Sequence, residues 1–442
     1  MPEVPFRPAK WPFFYGWTVA GVGTLAMIAT APGQTMGVGV FNEPMMQALG
    51  LDRVQMSVAY LVGTLISGFL MPQAGRMIDR VGVRRAMTWT CVWFGVALCG
   101  MSQVDAVAGW LGGVLGTGLG VASGMAVLIP GFFVIRFLGQ GLLSVCSNTM
   151  RAKWFNRWRG TMLAGCGVFT SLAFSMVPLA FNGLIEQFGW RGGWLVLGGF
   201  LLVVMAPLSW LLARDNPEEC GLVMDGRDWD GEPVSKNLDL LMRREFSVGE
   251  AVRTYAFWVL TAVLAWHSFF ATGFLFHIED IARAAGVPKT TLMALFVPAA
   301  PVVISVSLLS GWLVDRTRLK YFGTVMALGS GLMAFGLYRV PAAGGEWWVV
   351  AGMGLAGGCY GLMINNTNPR FFGRLHLGAI NGLTSSVIVL SSALGPAVFS
   401  LIKVTTGGYR AAFVVGVVVG VMLALAATRA DNPQRKIGDE VA

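Results

Sequence analysis

Charged residues are scarce in this sequence of 442 residues, since Asp, Glu, Lys and Arg together make up 12%. Soluble globular proteins carry roughly 25% charged residues. Apolar residues account for 55% of the chain, and the mean hydropathy is +0.65. This composition excludes an ordinary soluble domain and predicts a polytopic membrane protein whose solvent is the lipid bilayer.

Residues that bind metals or form disulfides are also few, with six cysteines and three histidines. No two cysteines form C-x-x-C, which argues against a disulfide framework and a zinc site. The chain has no H-E-x-x-H, P-loop or G-x-S-x-G sequence. The segment Gly352-Met-Gly354-Leu-Ala-Gly357 matches G-x-G-x-x-G but follows no strand, which favours helix packing over dinucleotide binding. We therefore expect no catalytic residue, metal or cofactor.

The net charge of +9 could indicate nucleic-acid binding, but the distribution of the basic residues argues against it. Most Lys and Arg residues fall in loops that the predicted topology assigns to one side of the membrane. Short cytoplasmic loops of membrane proteins are enriched in Lys and Arg. The charge therefore predicts an orientation with both termini in the cytoplasm and no nucleic-acid partner. The expected location is a bacterial inner membrane.

Twelve apolar runs of about membrane-spanning length occur along the chain. They lie near 14–42, 54–74, 86–103, 125–149, 160–184, 192–213, 256–278, 291–314, 322–338, 347–368, 379–402 and 411–428. We predict an all-α protein with an N-terminal bundle over 1–213, a cytoplasmic loop over 214–253, a C-terminal bundle over 254–428 and a polar, disordered tail over 429–442. The capping box Ser247-Val-Gly-Glu250 predicts a short helix before run 7.

The loop between runs 2 and 3 carries Gly75-Arg-Met-Ile-Asp79-Arg80-Val-Gly-Val-Arg84-Arg85, and the loop after run 8 repeats it as Gly311-Trp-Leu-Val-Asp315-Arg316. This pattern resembles the 2–3 and 8–9 loops of the major facilitator superfamily. The resemblance implies two six-helix bundles, twelve spans in total, and alternating access. Physically, the glycine permits close helix contact, and the aspartate can lie at the positive N-terminus of a neighbouring helix.

Further sequence repeats relate the two halves. Trp154-Phe155 after run 4 matches Phe371-Phe372 after run 10, and Gly189-Trp190-Arg191 matches Gly408-Tyr409-Arg410. The first half holds additional residues, for which the glycine-rich segment 105–124 is the candidate. A complete extra span would reverse the charge distribution, so we predict that this segment does not cross the membrane. It could be a re-entrant element, a periplasmic element, or an extension of helix 3 or 4.

Polar side chains within the first bundle are candidates for the translocation path. Arg136 lies well inside run 4, where a charge is costly unless it faces a cavity or a partner. It belongs to Arg136-Phe-Leu-Gly-Gln140, which resembles the helix-4 motif of the superfamily, and Asn148 extends the same face. Gln34 and Thr35 follow a break predicted at Pro32-Gly33. Arg136 either bonds to backbone carbonyls or binds a substrate or coupling group, and both alternatives stay open.

Runs 7 and 10 supply further candidates. His267 and His277 lie in run 7, and histidine titrates near physiological pH. His277 is interpreted as a gate or proton site, or as a structural polar residue near the interface. Tyr360, Asn365 and Asn366 lie in run 10, where uncharged polar groups either line a cavity or join helices.

Taken together, these features resemble the oxalate/formate-antiporter and monocarboxylate-porter-like branch of the superfamily. Carriers in that branch place an arginine in helix 8 and often a lysine in helix 11. Here the helix-8 position falls near Ser307, and run 11 offers only Thr384, Ser385 and Ser386. The usual carboxylate clamp is absent, so a monocarboxylate substrate does not follow from the branch.

The leading interpretation is a secondary transporter of a small organic solute, with an organic anion as one alternative, coupled to protons or exchanging solutes. The expected partners are that solute, the lipid bilayer and protons, and the protein is expected to be a monomer. A non-transporting membrane sensor with the same fold is the alternative. An intramembrane enzyme is disfavoured because no paired catalytic residues occur in the runs.

Overall fold

The computed structural model describes residues 6–114, 116, 120–226, 243–340 and 344–435. Every regular element in these residues is a helix, as a lipid environment requires of a chain that must satisfy its backbone hydrogen bonds internally. The first ten α-helices are α1 Gly16–Ile28, α2 Thr35–Leu49, α3 Arg53–Val81, α4 Val83–Met101, α5 Val104–Val114, α6 Val121–Ile135, α7 Ser144–Trp154, α8 Arg159–Phe200, α9 Ala206–Leu212 and α10 Val248–Ala251. The others are α11 Tyr255–Phe276, α12 Ile278–Ala284, α13 Lys289–Ala294, α14 Phe296–Val314, α15 Leu319–Arg339, α16 Gly345–Phe371, α17 Leu377–Thr406 and α18 Arg410–Ala427.

Nine helices in the described residues are long and apolar enough to cross a bilayer, and a tenth span results if α4 and α5, bent by 66°, count as one. The predicted count of twelve is therefore not confirmed. Run 1 is divided into α1 and α2 by the 3₁₀ turn Ala31–Gly33, at the break predicted from Pro32-Gly33. Runs 5 and 6 are joined in α8, which is interrupted only at Gly189, where φ is 72°.

The chain divides into two compact units. Unit 1 comprises Met1–Trp154, Phe169–Arg227 and Asn381–Ser386. Hydrogen bonds from two aromatic side chains connect distant segments of this unit. The hydroxyl of Tyr15 donates to the carbonyl of Leu212 at 2.7 Å. The indole of Trp154 donates to the carbonyl of Arg214 at 3.2 Å. The carbonyl of Leu212 lies at the end of α9, where a helix has no partners of its own, and Arg214 follows two residues later.

Unit 2 comprises Phe155–Val168, Asp228–Ile380 and Val387–Ala442. Its helices α14, α15 and α16 pack closely through glycines. A methyl group on Gly352 would lie 2.3 Å from the backbone nitrogen of Met333, and one on Gly354 would lie 2.2 Å from a methyl of Val302. Small residues allow this approach between membrane helices. The G-x-G-x-x-G match is therefore a helix-packing feature, as predicted.

Two polar segments of unit 2 are ordered by side-chain caps. The predicted capping box is confirmed, because Ser247 and Glu250 exchange side-chain and backbone bonds at the start of α10. The expectation of a disordered tail is wrong for residues 429–435, where Ala430, Asn432 and Gln434 are buried. The side-chain amides of Asn432 and Gln434 bond to backbone groups, which the polarity of the sequence alone did not indicate. Residues 227–242 of the central loop and 436–442 of the tail lie outside the described residues.

The glycine-rich segment 105–124 takes in most of the short helix α5 and, at its end, the first residues of α6, which starts at Val121. Ala108 and Gly112 on α5 are buried, which agrees with a small-residue packing face. Positions 115 and 117–119 lie outside the described residues. That this segment does not cross the membrane stays a prediction.

Candidate functional site

Arg136 is 2% exposed and begins a π-helical segment, Arg136–Leu143, between α6 and α7. Single π-helical turns occur often at functional sites. Its Nη1 donates to the carbonyl of Gly33 at 3.0 Å, and its guanidinium carbon lies 4.9 Å from the centre of the Tyr60 ring. Within the described residues no carboxylate pairs with Arg136, and its Nε has no hydrogen-bond partner. Arg136 is thus a buried cation that retains an unused donor.

Thr35 belongs to the same group of contacts, as its position after the helix break allows. Its hydroxyl oxygen accepts a bond from the hydroxyl of Tyr60 at 2.8 Å and lies 3.4 Å from Nη1 of Arg136. Gln34 points elsewhere, because its amide donates to the hydroxyl of Thr30 at 3.0 Å. Thr35 therefore contacts Arg136, whereas the side chain of Gln34 bonds to the preceding turn of its own chain segment.

The other two candidates on this helix have different surroundings. Gln140 follows Arg136 in the π-helical segment, and its buried Oε1 has no hydrogen-bond partner among the described residues. Asn148 accepts a bond from Nη2 of Arg151 at 2.6 Å through its Oδ1. Gln140 therefore has a buried acceptor to offer, whereas Asn148 is engaged with Arg151.

In unit 2, two residues predicted separately come into contact. The Nδ1 of His267 lies 3.2 Å from the hydroxyl of Ser330 on α15. The hydroxyl of Tyr360 lies 3.3 Å from that of Ser268, and the rings of His267 and Tyr360 are 5.4 Å apart between centres. This polar group joins α11, α15 and α16 and contains no carboxylate.

The two asparagines of α16 bond to their own helix. Asn365 donates to the carbonyl of Gly361 at 2.6 Å, and Asn366 donates to that of Leu362 at 3.0 Å. Both Oδ1 atoms are buried without a hydrogen-bond partner among the described residues. The pair therefore presents buried acceptors, which a donor group could satisfy.

His277 lies where α11 ends and α12 begins. Its Nε2 is 2.9 Å from the carbonyl of Pro396, and its ring centre is 5.7 Å from that of Tyr409. Close by in sequence, Asp280 accepts bonds from Lys403 and from the hydroxyl of Tyr409. These two bonds hold the pKa of Asp280 below its ordinary value. His277 is thus tied to backbone beside an ionic group.

Asp315 caps a helix N-terminus within unit 2. Its carboxylate accepts bonds from the backbone nitrogens of Gly160 at 3.2 Å and Thr161 at 3.1 Å, in the first turn of α8. It also pairs with Arg370, and the two side chains are 10% and 1% exposed. Arg370 donates to the carbonyl of Val314 as well, at 2.8 Å. We call Asp315, Arg370, Gly160 and Thr161 the helix lock.

The other residues of the second loop motif support this contact. A methyl group on Gly311 would lie 2.2 Å from the methyl of Ala164, so the glycine is what allows α14 to approach α8. Arg316 donates to the carbonyl of Trp312 at 2.6 Å and lies over its ring at 4.3 Å. Arg316 therefore stays on its own helix end.

The first loop motif lies in unit 1. A methyl group on Gly382 would lie 3.0 Å from the Cα of Gly75, which agrees with the predicted close approach at that glycine. Asp79 is half-buried and Arg80 is exposed. The role of Asp79 at a helix N-terminus stays a prediction, although Asp315 has that arrangement.

Arg84 is buried at the start of α4. Its Nε and Nη2 both donate to the carbonyl of Trp210, at 2.8 and 2.6 Å. Its backbone nitrogen donates to Asp215 at 3.0 Å. The guanidinium thus caps the end of α9 instead of facing the solvent with Arg80.

Arg370 and Tyr60 were not predicted as site residues from the sequence. The repeat that aligns Phe155 with Phe372 also aligns Lys153 with Arg370, so a matched basic position could have been noticed. Tyr60 gave no such signal, because one aromatic residue in an apolar run is ordinary.

Comparisons with known proteins agree with this architecture. The sequence model of the Major Facilitator Superfamily matches residues 23–371. Monocarboxylate transporter 11 of Mus musculus is 27% identical over 335 residues, which are 69% of this chain and 68% of that protein. Monocarboxylate transporter 12 of Homo sapiens is 25% identical over 333 residues, which are 69% of this chain and 63% of that protein. The chain thus spans about two thirds of the length of these relatives.

Solved structures show the same fold. The human organic anion transporter MFSD10 superposes with a TM-score of 0.62 at 13% identity and covers 93% of this chain and 99% of its own. The E. coli fucose:proton symporter superposes with a TM-score of 0.61 at 11% identity and covers 94% of this chain and 99% of its own. Since the family match takes in most of the sequence, the chain belongs to the Major Facilitator Superfamily.

Proposed function

We propose that this protein is a secondary transporter that moves a small organic anion across the membrane by alternating access. The proposal of an anionic substrate rests on Arg136, a buried guanidinium with no carboxylate partner among the described residues. A guanidinium binds a carboxylate through two parallel hydrogen bonds, which gives both affinity and orientation. Its Nε and the neighbouring hydroxyl of Thr35 provide donors beside the charge.

The relatives support this class of substrate. Two of them are named monocarboxylate transporters, and one structural neighbour is an organic anion transporter. The identities are low, so they support the class and not a particular solute. The sensor alternative has no support in the family match or in these relatives.

We propose that the two loop motifs close the cytoplasmic side during the transport cycle. Asp315 would release Gly160 and Thr161 when that side opens, and Asp79 would act in the same way in the other half. Gly75 and Gly311 would keep the closed helices in contact. The positive charges of the motif arginines, Arg80, Arg84 and Arg316, would keep these loops on the cytoplasmic side of the membrane.

The remaining polar candidates are proposed to line the path or to transfer protons. His267 and His277 are proposed for the proton transfer, because each imidazole has two ring nitrogens that can take up or release a proton. The uncharged ones are Gln34, Gln140, Asn148, Tyr360, Asn365 and Asn366. We further propose a monomer in a bacterial inner membrane with both termini in the cytoplasm, coupled to protons or to the exchange of a second solute.

Uptake by proteoliposomes tests the proposed function. Radiolabelled short-chain monocarboxylates and their uncharged amides would be supplied with and without an imposed pH gradient. Accumulation of a carboxylate above the level in protein-free vesicles, and not of its amide, is the expected result. Transport of the amides alone would contradict an anionic substrate, and dependence on the pH gradient would separate proton coupling from exchange.

A further inference from the structure

A short sequence occurs twice, once after the last helix of each sequence half. The copies are Asp215-Asn216-Pro217-Glu218 after α9 and Asp431-Asn432-Pro433-Gln434 after α18. In unit 1, Asp215 accepts a bond from the backbone of Arg84 in the first turn of α4. In unit 2, Asp431 pairs with Lys320 in the first turn of α15, at 2.8 Å. The aspartate therefore holds the start of the corresponding helix in both copies.

The copies differ at their fourth residue, which is Glu218 in the first and Gln434 in the second. Gln434 is 1% exposed. Its Nε2 donates to the carbonyls of Arg244 at 2.7 Å and Phe371 at 3.1 Å. Its Oε1 accepts from the backbone nitrogens of Arg243 at 3.1 Å and Arg244 at 3.0 Å. An ionised glutamate has no proton to donate, so only an amide can make the first two bonds.

Asn432 completes the contact. Its Nδ2 donates to the carbonyl of Arg370 at 3.4 Å, and its Oδ1 accepts from the backbone nitrogen of Gln434 at 3.0 Å. Arg370 and Phe371 are the last two residues of α16, where helix carbonyls have no partner within the helix. The two amides therefore cap the end of α16.

That helix end also carries the side chain of the helix lock. The guanidinium of Arg370 pairs with Asp315 and bonds to the carbonyl of Val314, while its own carbonyl is held by Asn432. We propose that Asn432 and Gln434 are positioning residues for the helix lock, which fix the end of α16 so that Arg370 meets Asp315. The consequence for transport rests on the proposed function, but the contact itself does not.

Amide hydrogen exchange of the full chain in detergent measures whether the helix lock is formed, and it requires no substrate. The amides of Gly160 and Thr161 donate to Asp315, so their exchange reports whether the carboxylate is in place. Gln434→Glu introduces the residue of the first copy and removes the bonds to Arg244 and Phe371. We expect exchange at these two amides to accelerate at least about fivefold, the size expected for the loss of one hydrogen bond, and Asp315→Ala to set the upper limit.

Asn216→Ala is the matched control, because Asn216 occupies the place of Asn432 in the first copy and its amide donates to Glu219 in its own turn at 2.5 Å. It should leave Gly160 and Thr161 unchanged. If Gln434→Glu fails to fold, Asn432→Ala carries the same test. Wild-type exchange at both amides in either folded variant would overturn the proposal, even if transport itself is demonstrated. If exchange accelerates in the variants but the wild-type protein transports no carboxylate, this proposal stands and the proposed function fails.

Discussion

We propose that the charge of Arg136 determines which solutes unit 1 can bind. Burial of a guanidinium is costly unless its donors are satisfied. Here one backbone carbonyl, the hydroxyl of Thr35 and the face of Tyr60 offset part of that cost. Both alternatives for Arg136 therefore have a physical basis: a backbone bond exists, and a donor remains for an anion.

Two substitutions of Arg136 separate these alternatives. Arg136→Lys keeps the charge but loses the planar fork, so we expect a folded protein with most of its affinity for a carboxylate lost. Arg136→Gln removes the charge and should abolish binding of the anion. Uptake and ligand-induced thermal stabilisation measure both effects. Wild-type behaviour of both variants would make Arg136 structural and favour a neutral or cationic solute.

Asp315 and Asp431 are both paired aspartates, but their exposure predicts different effects on stability. Asp315→Asn breaks a pair that is 10% and 1% exposed and should destabilise the protein by roughly 3–5 kcal/mol. Asp431 is 44% exposed, so Asp431→Asn should cost about 0–1 kcal/mol. Thermal unfolding of the two variants in one detergent compares them. Equal shifts would show that Asp315 is not held by a buried pair.

Asp280 predicts a dependence of stability on acid. Bonds from Lys403 and Tyr409 lower its pKa in the folded state, whereas an aspartate in the unfolded chain has a pKa of about 3.9. The stabilisation is therefore fully present above that pKa and is lost as the pH falls through the lower, folded value. The melting temperature of Asp280→Asn should be below that of wild type at pH 7, and the gap should narrow below about pH 4. A constant gap would contradict this origin.

For single residues, the sequence indicated candidates for a function but not the residues that they contact. Arg136 stood out because it is a charge inside an apolar run, and Asp315 because its motif occurs twice. The contact of Arg370 with Asp315 could not be derived, since the two are 55 residues apart and helix spacing gives no information on such pairs. The burial of Asn432 and Gln434 was missed for the same reason.

Glycines determine how closely the helices approach, and Gly311 gives a sharp test of this at the level of elements. Gly311→Ala would place a methyl group 2.2 Å from that of Ala164 and should cost roughly 1–3 kcal/mol through overpacking. Gly165→Ala, next in sequence to Ala164, meets nothing within 4 Å. It should be neutral or stabilise α8 by up to about 1 kcal/mol. Thermal unfolding gives both values, and a neutral Gly311→Ala would refute the close contact.

Helices were the most predictable elements, and their interruptions the least. Run 9 was predicted at 322–338, and the helix is Leu319–Arg339, because apolar length alone specifies a spanning helix. The break at Pro32-Gly33 was predicted because proline and glycine mark it, and the structure has the 3₁₀ turn Ala31–Gly33 there. The π-helical segment Arg136–Leu143 and the joining of runs 5 and 6 in α8 leave no such mark, since they depend on packing.

For the molecule as a whole, the number of crossings decides on which side each loop lies. The described helices give nine or ten candidate spans, whereas the repeats and basic loops favour twelve. Segment 105–124 bears directly on this count, because one additional crossing there would move every later loop to the other side. The basic segment 151–159 would then lie outside, against the distribution that membrane proteins show.

Cysteine labelling on both sides of the membrane resolves that question. In a background without the six native cysteines, Gln103→Cys and Ala126→Cys would each be treated with an impermeant maleimide from outside and from inside intact cells or oriented vesicles. If 105–124 turns back without crossing, both positions react from the same side, which we expect to be the outer one. Opposite sides would add a crossing, place Arg151–Arg159 outside, and remove the charge-based orientation on which the cytoplasmic location of the helix lock depends.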